Sequence, residues 1–452
     1  MNERATAHPG IDFSADLLVS NGTVITMDAA GTQIAAGAVA IADGTIKAAG
    51  PAAELDGWHA AQRIDACGGL IMPGLINTHT HAAMALFRGL ADDLPLMTWL
   101  NDHIFPAEAR LNADMVGIGT RLACAEMIRA GITCFCDMYL FEEAVAEVAR
   151  QCAMRAVVGE VLYDFPSPNY GPIAKGFDYT ARMLARWAGD ALITVAVEPH
   201  SPYLCAPDLL TRAARLAADY QAPLVIHLSE TTSEVAQIQE RYHATPVGHL
   251  ERLGILAPNL VACHAVVLTP ADIALLAQHD VKVSHNPESN MKLASGVAPV
   301  PDLLAAGVCV GLGTDGCASN NNLDLFGEMD MAAKLHKVHR LNPTVMPAAA
   351  VLRMSTIDAA RVLGLHHKVG SIEVGKRADL IVIDTDQPHL TPMYDPISHL
   401  VYAVQGSDVR HTIIDGRVVM QDRRLVTIDL AKTLSDARQQ AGWIADVGHA
   451  HS

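Results

Sequence analysis

Eight apolar runs of strand length follow one another through the middle of the chain, separated by text of helical period. They read LIMPGLINTH, ITCFCDMY, RAVVGEVLYD, LITVAVEPH, PLVIHLSE, LVACHAV, VKVSHNP and VCVGLGTD, from Leu70 to Asp315. Unbroken apolar runs suit strands buried on both faces, and such strands occur in parallel sheets covered by helices. The intervening stretches Phe141–Cys152, Pro207–Gln221 and Pro270–His279 carry apolar residues at three-to-four spacing, as amphipathic helices do. Eight such units predict an α/β fold of the TIM-like (β/α)8 barrel type. No GxGxxG follows a strand, which weighs against an open doubly wound sheet.

The two ends of the chain have another texture. From Asp16 to about Ala66, short alternating runs are broken by Asn-Gly, Asp-Gly and Gly-Thr turns, which predicts antiparallel β structure. The same texture returns in ADLIVIDTD and VRHTIIDGRVVMQDRRLV. Two β-rich ends can build one small sheet domain around an inserted barrel, and 452 residues are more than one compact core of common size.

Composition narrows the partners. The formal net charge is -17 with no Lys/Arg cluster, so a phosphate backbone is repelled and nucleic acid is not expected. The N-terminus lacks a basic segment followed by an apolar one, and no apolar run reaches the ~18 residues that span a bilayer. Neither export nor membrane insertion is expected. Nine cysteines without CxxC pairing read as reduced residues of a cytoplasmic protein. A small molecule is the expected partner.

In a barrel of this kind, chemistry gathers at the C-terminal ends of the strands. Strand one ends in His79 and His81, strand four in His200, strand five in His227 with Glu230 beyond it. Strands six, seven and eight end in His264, His285 and Asp315. Residues two apart on a strand share a face, so His79 and His81 can reach one ion, and His227 and Asp315 can complete its shell. Three neutral imidazoles and a carboxylate suit Zn²⁺, with Fe²⁺ and Mn²⁺ as alternatives, and leave a position for water. One histidine at a strand end is ordinarily a hydrogen-bonded surface residue; six reactive ends at one rim are not coincidence. By contrast, His449 and His451 have no strand beneath them and are expected in a tail. His336, His339, His366 and His367 lie in or after helical text and are expected to be solvated.

These motifs carry a resemblance. PGLINTHTH, PHSPYLC, HLSE, CHAV, SHNPESNMKL and LGTDGCASNNNLDLF resemble the amidohydrolase superfamily, in particular its branch of 5-methylthioadenosine/S-adenosylhomocysteine deaminases and triazine hydrolases. The resemblance runs nearly end to end. It implies a β-sandwich flanking the barrel, with residues 1–70 and 371–430 in the sandwich, 71–370 in the barrel and 431–452 in a C-terminal helix and tail. It also implies a mononuclear centre, because no strand end offers the lysine that bridges two metals in binuclear members, and a homo-oligomer.

The implied reaction is hydrolytic deamination of an aminopurine nucleoside, most simply 5-methylthioadenosine, with adenosine or S-adenosylhomocysteine as alternatives. A cation so held brings the pKa of bound water toward about 7. Glu230 would protonate the purine ring, Asp315 would take the proton of the attacking water while touching the metal, and His264 would stabilise the developing hydroxyl. The resemblance places Glu108 on the ribose hydroxyls and His200 against the purine or ribose. At the end of strand three, Glu160 stands where an arginine for the homocysteine carboxylate would be expected, which predicts preference for substrates without that carboxylate. Hydrolysis of an amino- or chlorotriazine, deamination of guanine or cytosine, and a non-catalytic scaffold are the competing readings.

Overall fold

The computed structural model describes residues 14–94 and 98–448. Its centre is a ring of parallel strand positions: Leu75–Thr80, Ile132–Tyr139, Arg155–Leu162, Ile193–Val195 with Glu198–Pro199, Leu224–Leu228, Leu260–His264, Lys282–His285 and Val310–Leu312. The first four and the last four positions pair within themselves. Val197 N donates to the Pro223 carbonyl (2.9 Å) and Val225 N to the Val197 carbonyl (3.0 Å), joining fourth to fifth. Asp315 N donates to the His79 carbonyl (3.0 Å), joining the eighth back to the first. All eight expected runs supply a ring strand.

The helices between them keep close to their expected bounds, as Glu142–Gln151, Pro207–Tyr220 and Pro270–Gln278. The last shows why. Thr269 caps it by accepting from Asp272 N, the Asp272 carboxylate accepts from Thr269 N in return, and Pro270 occupies the first turn, where no amide is needed.

The first run differs from its expected form. LIMPGLINTH is two strands: Leu70–Pro73 belongs to a second, nine-stranded sheet, and only Leu75–Thr80 enters the ring. Gly74 is the switch point, where a Cβ would lie 2.1 Å from the Thr133 side chain. Both pieces are fully buried, so apolar patterning could not divide them.

The nine-stranded sheet draws on both ends of the chain. Leu70–Pro73 pairs in parallel with Ser14–Ile25 on one side and antiparallel with Leu380–Ile383 on the other. Val19, Val39, Ile71, Leu380 and Val382 share an apolar cluster of their own. The expected Asn-Gly turn is instead an irregularity inside one long strand. Asn21 has φ 61°, and the pairing of Ser14–Ile25 with Gln33–Ala42 shifts register on either side of Gly22. The tight turns are Asp43-Gly44 (φ 53° and 68°) and Asp415-Gly416 (φ 55° and 77°), where both residues need the left-handed region. These two turns touch, because a Cβ on Gly416 would lie 2.4 Å from the Gly44 Cα. Arg155, on the third ring strand, locks barrel to sheet through paired bonds to Asp379 (2.7 and 3.0 Å) and a third to Asp415 (3.2 Å).

The helix Leu430–Gly448 closes the described chain, and His449 and His451 lie outside the described residues. Among the described residues no helix is long and apolar enough to cross a membrane.

Candidate active site

The ring brings five of the expected residues into one buried cluster. The His79 ring centroid lies 4.9 Å from those of His81 and His227 and 5.5 Å from that of His264. Asp315 Oδ1 is 3.1 Å from His81 Nε2 and 3.5 Å from His79 Nε2. Two groups have donor atoms mutually within 4.8 Å, His79–His81–Asp315 and His79–His227–His264, and they share His79.

Backbone carbonyls aim the rings. His81 Nδ1 donates to the Met138 carbonyl at 2.5 Å and His227 Nδ1 to the His200 carbonyl at 2.9 Å, which fixes the tautomer and turns each Nε2 lone pair inward. Asp315 takes a left-handed backbone (φ 59°), and its Oδ2 accepts from Ser289 Oγ (2.6 Å) and Ser319 Oγ (3.1 Å). His264, also left-handed (φ 72°), donates from Nδ1 to Asn290 Oδ1 (3.0 Å). Such strained residues persist where the surroundings over-determine them, commonly at functional sites.

The electrostatics fit a cation. Burial, against the pull of Asp315, lowers the His79 imidazole to about 4, and burial with the neighbouring His200 ring drives His227 well below its ordinary value. Burial opposes charge on His81 as well, but there the Asp315 carboxylate wins and lifts the imidazole to about 9. Burial would raise Asp315, yet the His79 and His81 imidazoles beside it hold it well below the usual carboxylate range. His79 and His227 thus offer neutral nitrogens beside the ionised Asp315, while at His81 a proton and a metal ion compete. Neither ring nitrogen of His79 has a hydrogen-bond partner although the residue is fully buried, an arrangement that is costly unless a further ligand satisfies it. Tetrahedral Zn²⁺ with bonds of about 2.0–2.1 Å sets ligand atoms roughly 3.3 Å apart, close to the two Asp315 distances above.

The cluster floors a cavity of about 880 Å³, including the solvent at its mouth, which Glu108, His200, Glu230 and His264 also line. Glu230 Oε2 lies 4.0 Å from His264 Nε2. Burial raises the Glu230 carboxyl above its ordinary value, with His264 opposing. Burial lifts Glu108 to about 7, with the neighbouring Tyr139 opposing, and burial with the charge of His81 lowers His200 to about 3. His200 also meets Ser201 Oγ through Nδ1 at 3.0 Å.

Three expectations change. Glu160 does not line the cavity: it is fully buried and accepts from Glu142 N at 2.9 Å. Val161 lines the cavity, and adjacent strand residues face opposite ways, so Glu160 must point elsewhere. His285 turns out of the metal cluster and bonds His336 at 3.1 Å between their Nε2 atoms. His336 is therefore buried rather than solvated. Asn290, Ser289 and Ser319, which hold His264 and Asp315, lie within SHNPESNMKL and LGTDGCASNNNLDLF, but no spacing in those motifs marks them out.

A closed α/β barrel that gathers imidazoles and one carboxylate at the C-terminal rim of its strands defines a metal-dependent hydrolase. A profile of the Amidohydrolase family matches residues 70–419, and the chain belongs to that family. It is 60% identical over 425 residues to a 5-methylthioadenosine/S-adenosylhomocysteine deaminase of Syntrophobacter fumaroxidans, covering 94% of this chain and 97% of the relative. It is 45% identical over 429 residues to a 5'-deoxyadenosine deaminase of Methanosarcina mazei, covering 94% and 98%. Its fold is similar to the crystal structure of an adenosine deaminase from Xanthomonas campestris with bound zinc, at TM-score 0.94 and 39% identity, covering 95% of this chain and 99% of that one.

Proposed function

We propose that the chain deaminates adenosine analogues hydrolytically: water adds at purine C6, the C6–N bond breaks, and ammonia leaves an inosine analogue. The observation that carries this reading is the pairing of Glu230 with His264 at 4.0 Å, facing the cavity beside the imidazole–carboxylate cluster. Names of relatives that cover nearly the whole chain point the same way.

His79, His81, His227 and Asp315 would hold one divalent ion per subunit, Zn²⁺ by donor set, with Fe²⁺ and Mn²⁺ as alternatives. When bound, that ion supplies Lewis acidity and brings a coordinated water toward a pKa of about 7. Glu230, whose burial favours the protonated form, gives its proton to the ring nitrogen beside C6 and so makes that carbon electrophilic. Asp315 takes a proton from the attacking water. Burial disfavours charge on His264, but the Glu230 and Asp315 carboxylates overcome it, and the resulting imidazolium, with Nδ1–H on Asn290, donates from Nε2 to the developing hydroxyl. The proton drawn from water then reaches the amino group, which departs as ammonia with the C6–N electron pair, and the remaining hydroxyl proton passes to Glu230 as the C6 carbonyl forms.

Glu108 receives the ribose hydroxyls, two donors for one carboxylate, and His200 contacts the purine or ribose. No lysine or arginine lines the cavity among the described residues, whereas Trp99, Tyr163 and Phe165 do. Tyr163 and Phe165 stack at 3.9 Å between centroids. Such a wall favours an uncharged methylthio or deoxy tail over one bearing a carboxylate and an ammonium. The tail preference is thus proposed from these residues and no longer from Glu160.

An ammonia-release screen of metal-loaded enzyme over adenosine analogues, nucleobases and triazines tests the reading. Release from 5-methylthioadenosine is expected. Turnover of guanine, cytosine or a triazine alone would replace the reading, and no turnover with His79→Ala leaving metal content unchanged would favour a scaffold. Equal or higher kcat/KM for S-adenosylhomocysteine would overturn the tail preference.

We further propose a small β-sandwich domain from residues 1–70 and 371–430, a barrel over 71–370 and an appended helix and tail over 431–452; the separate apolar cluster of the nine-stranded sheet supports this division. The free cysteines support a cytoplasmic setting. Assembly with copies of itself is carried by the family resemblance, and sedimentation would check it.

A further inference from the structure

The mechanism needs the Glu230 carboxyl held at a fixed distance from His264, yet Glu230 sits on a loop. At that loop the chain leaves the fifth ring strand through Ser229, whose φ of 54° lies in the left-handed region that a residue with a Cβ resists. Something must hold this peptide. From one side, the Ser229 carbonyl accepts from Val266 N (3.1 Å) and Val267 N (2.8 Å), just after His264. From the other, Glu234 does the holding: its Oε1 accepts from Ser229 N (3.0 Å) and its Oε2 from Glu230 N (2.7 Å).

Glu234 does not line the cavity, is buried, and forms no ion pair among the described residues. It stands in the first turn of the helix Thr232–Tyr242, where Thr231 Oγ1 accepts from its own N–H at 3.2 Å. In a capping box the glutamate at this place returns to the N–H of the cap residue. Here it reaches past the cap to the two preceding amides, which belong to the catalytic loop. The geometry goes beyond what ending a helix requires.

We propose that Glu234 is a positioning residue: by bridging the Ser229 and Glu230 amides it sets the Glu230 carboxyl in line with His264 and the substrate ring. The consequence for catalysis rests on the deaminase reading above; the structural claim does not. Proton transfer is efficient only within hydrogen-bond reach, so a displaced Glu230 slows the chemical step more than it weakens binding. Glu234→Gln keeps the size of the side chain but presents an NH₂ to one of the two amides, leaving that amide unpartnered. Thr231→Ala removes a cap from the same helix and leaves both amides bridged.

The test compares these two variants with wild type, with Glu230→Gln identifying which limb of the pH profile belongs to Glu230. For Glu234→Gln we expect kcat for 5-methylthioadenosine to fall ten- to a hundredfold, KM to change less than threefold, metal content to be unchanged, and the Glu230 limb to shift. Amide hydrogen exchange across Leu228–Thr231 should quicken at least tenfold. Thr231→Ala should keep kcat within twofold and leave that exchange slow. A Glu234→Gln enzyme with kcat within twofold of wild type overturns the proposal, as does an equal loss in Thr231→Ala, which would make the role one of helix stability. If wild type releases no ammonia from any adenosine analogue, the deaminase reading fails on its own, and unchanged exchange in Glu234→Gln still overturns the positioning claim.

Discussion

Glu108 offers the sharpest test of how the cavity recognises a nucleoside. Glu108 is half-buried in the cavity wall, and desolvation there lifts its carboxyl to about 7. Only the ionised form has four lone-pair sites for two hydroxyl protons, so affinity for a riboside should follow ionisation. With a pKa of about 7, roughly one-eleventh of the groups are ionised at pH 6 and ten-elevenths at pH 8, so KM for a riboside should fall by about tenfold over that range. Other groups titrate too, so the useful quantity is the ratio of KM for 5-methylthioadenosine to KM for its 2',3'-dideoxy counterpart, which has no hydroxyls for Glu108 to receive. That ratio should fall about tenfold between pH 6 and pH 8, a difference of about 1.4 kcal/mol, and in Glu108→Gln it should be flat. Stability moves the other way. A carboxyl whose folded pKa is raised holds its proton in the fold, so its contribution is fully present below the unfolded pKa near 4.5 and is lost as pH rises through about 7. Glu108→Gln should therefore gain on wild type in denaturant titrations as pH climbs through that window. A ratio unchanged with pH, or a slope that persists in Glu108→Gln, would refute both the assignment and the reasoning from burial.

Two further outcomes are expected. Glu230→Gln keeps the shape of the cavity but has no proton to give, so kcat should drop by about 10²–10⁴-fold with KM little changed, read by ammonia release. Arg155→Met leaves the buried Asp379 without its bidentate partner and should cost about 3–5 kcal/mol in denaturant unfolding. Arg155→Met/Asp379→Asn, which removes the stranded carboxylate, should recover part of that deficit.

Much of the site could be read in the sequence because its residues sit at places a local rule specifies. Apolar runs announce buried strands, barrel chemistry lies at their C-terminal ends, and the last polar residues of the first, fifth, sixth and eighth runs are those that meet in space. Glu160 shows where local reasoning stops. It also ends a strand run, but which of two adjacent residues faces the cavity depends on how the strand is rolled in the ring, and Val161 took that face. His285 is a similar case: it ends the seventh strand as expected, then turns to a histidine 51 positions away.

What the sequence determined by itself is the alternation of strands and helices, the tight turns at Asp43-Gly44 and Asp415-Gly416, and the residue types gathered at one rim; each follows from interactions within a few residues. What only the tertiary structure decided is long-range. It divided LIMPGLINTH between two sheets at Gly74, set Ser289 on Asp315, and set the Val266 and Val267 amides on the Ser229 carbonyl beneath the Glu230 loop. The physical reason is the same each time. A hydrogen bond or a close approach between distant segments costs chain entropy to form and leaves no periodic mark in the residues that make it.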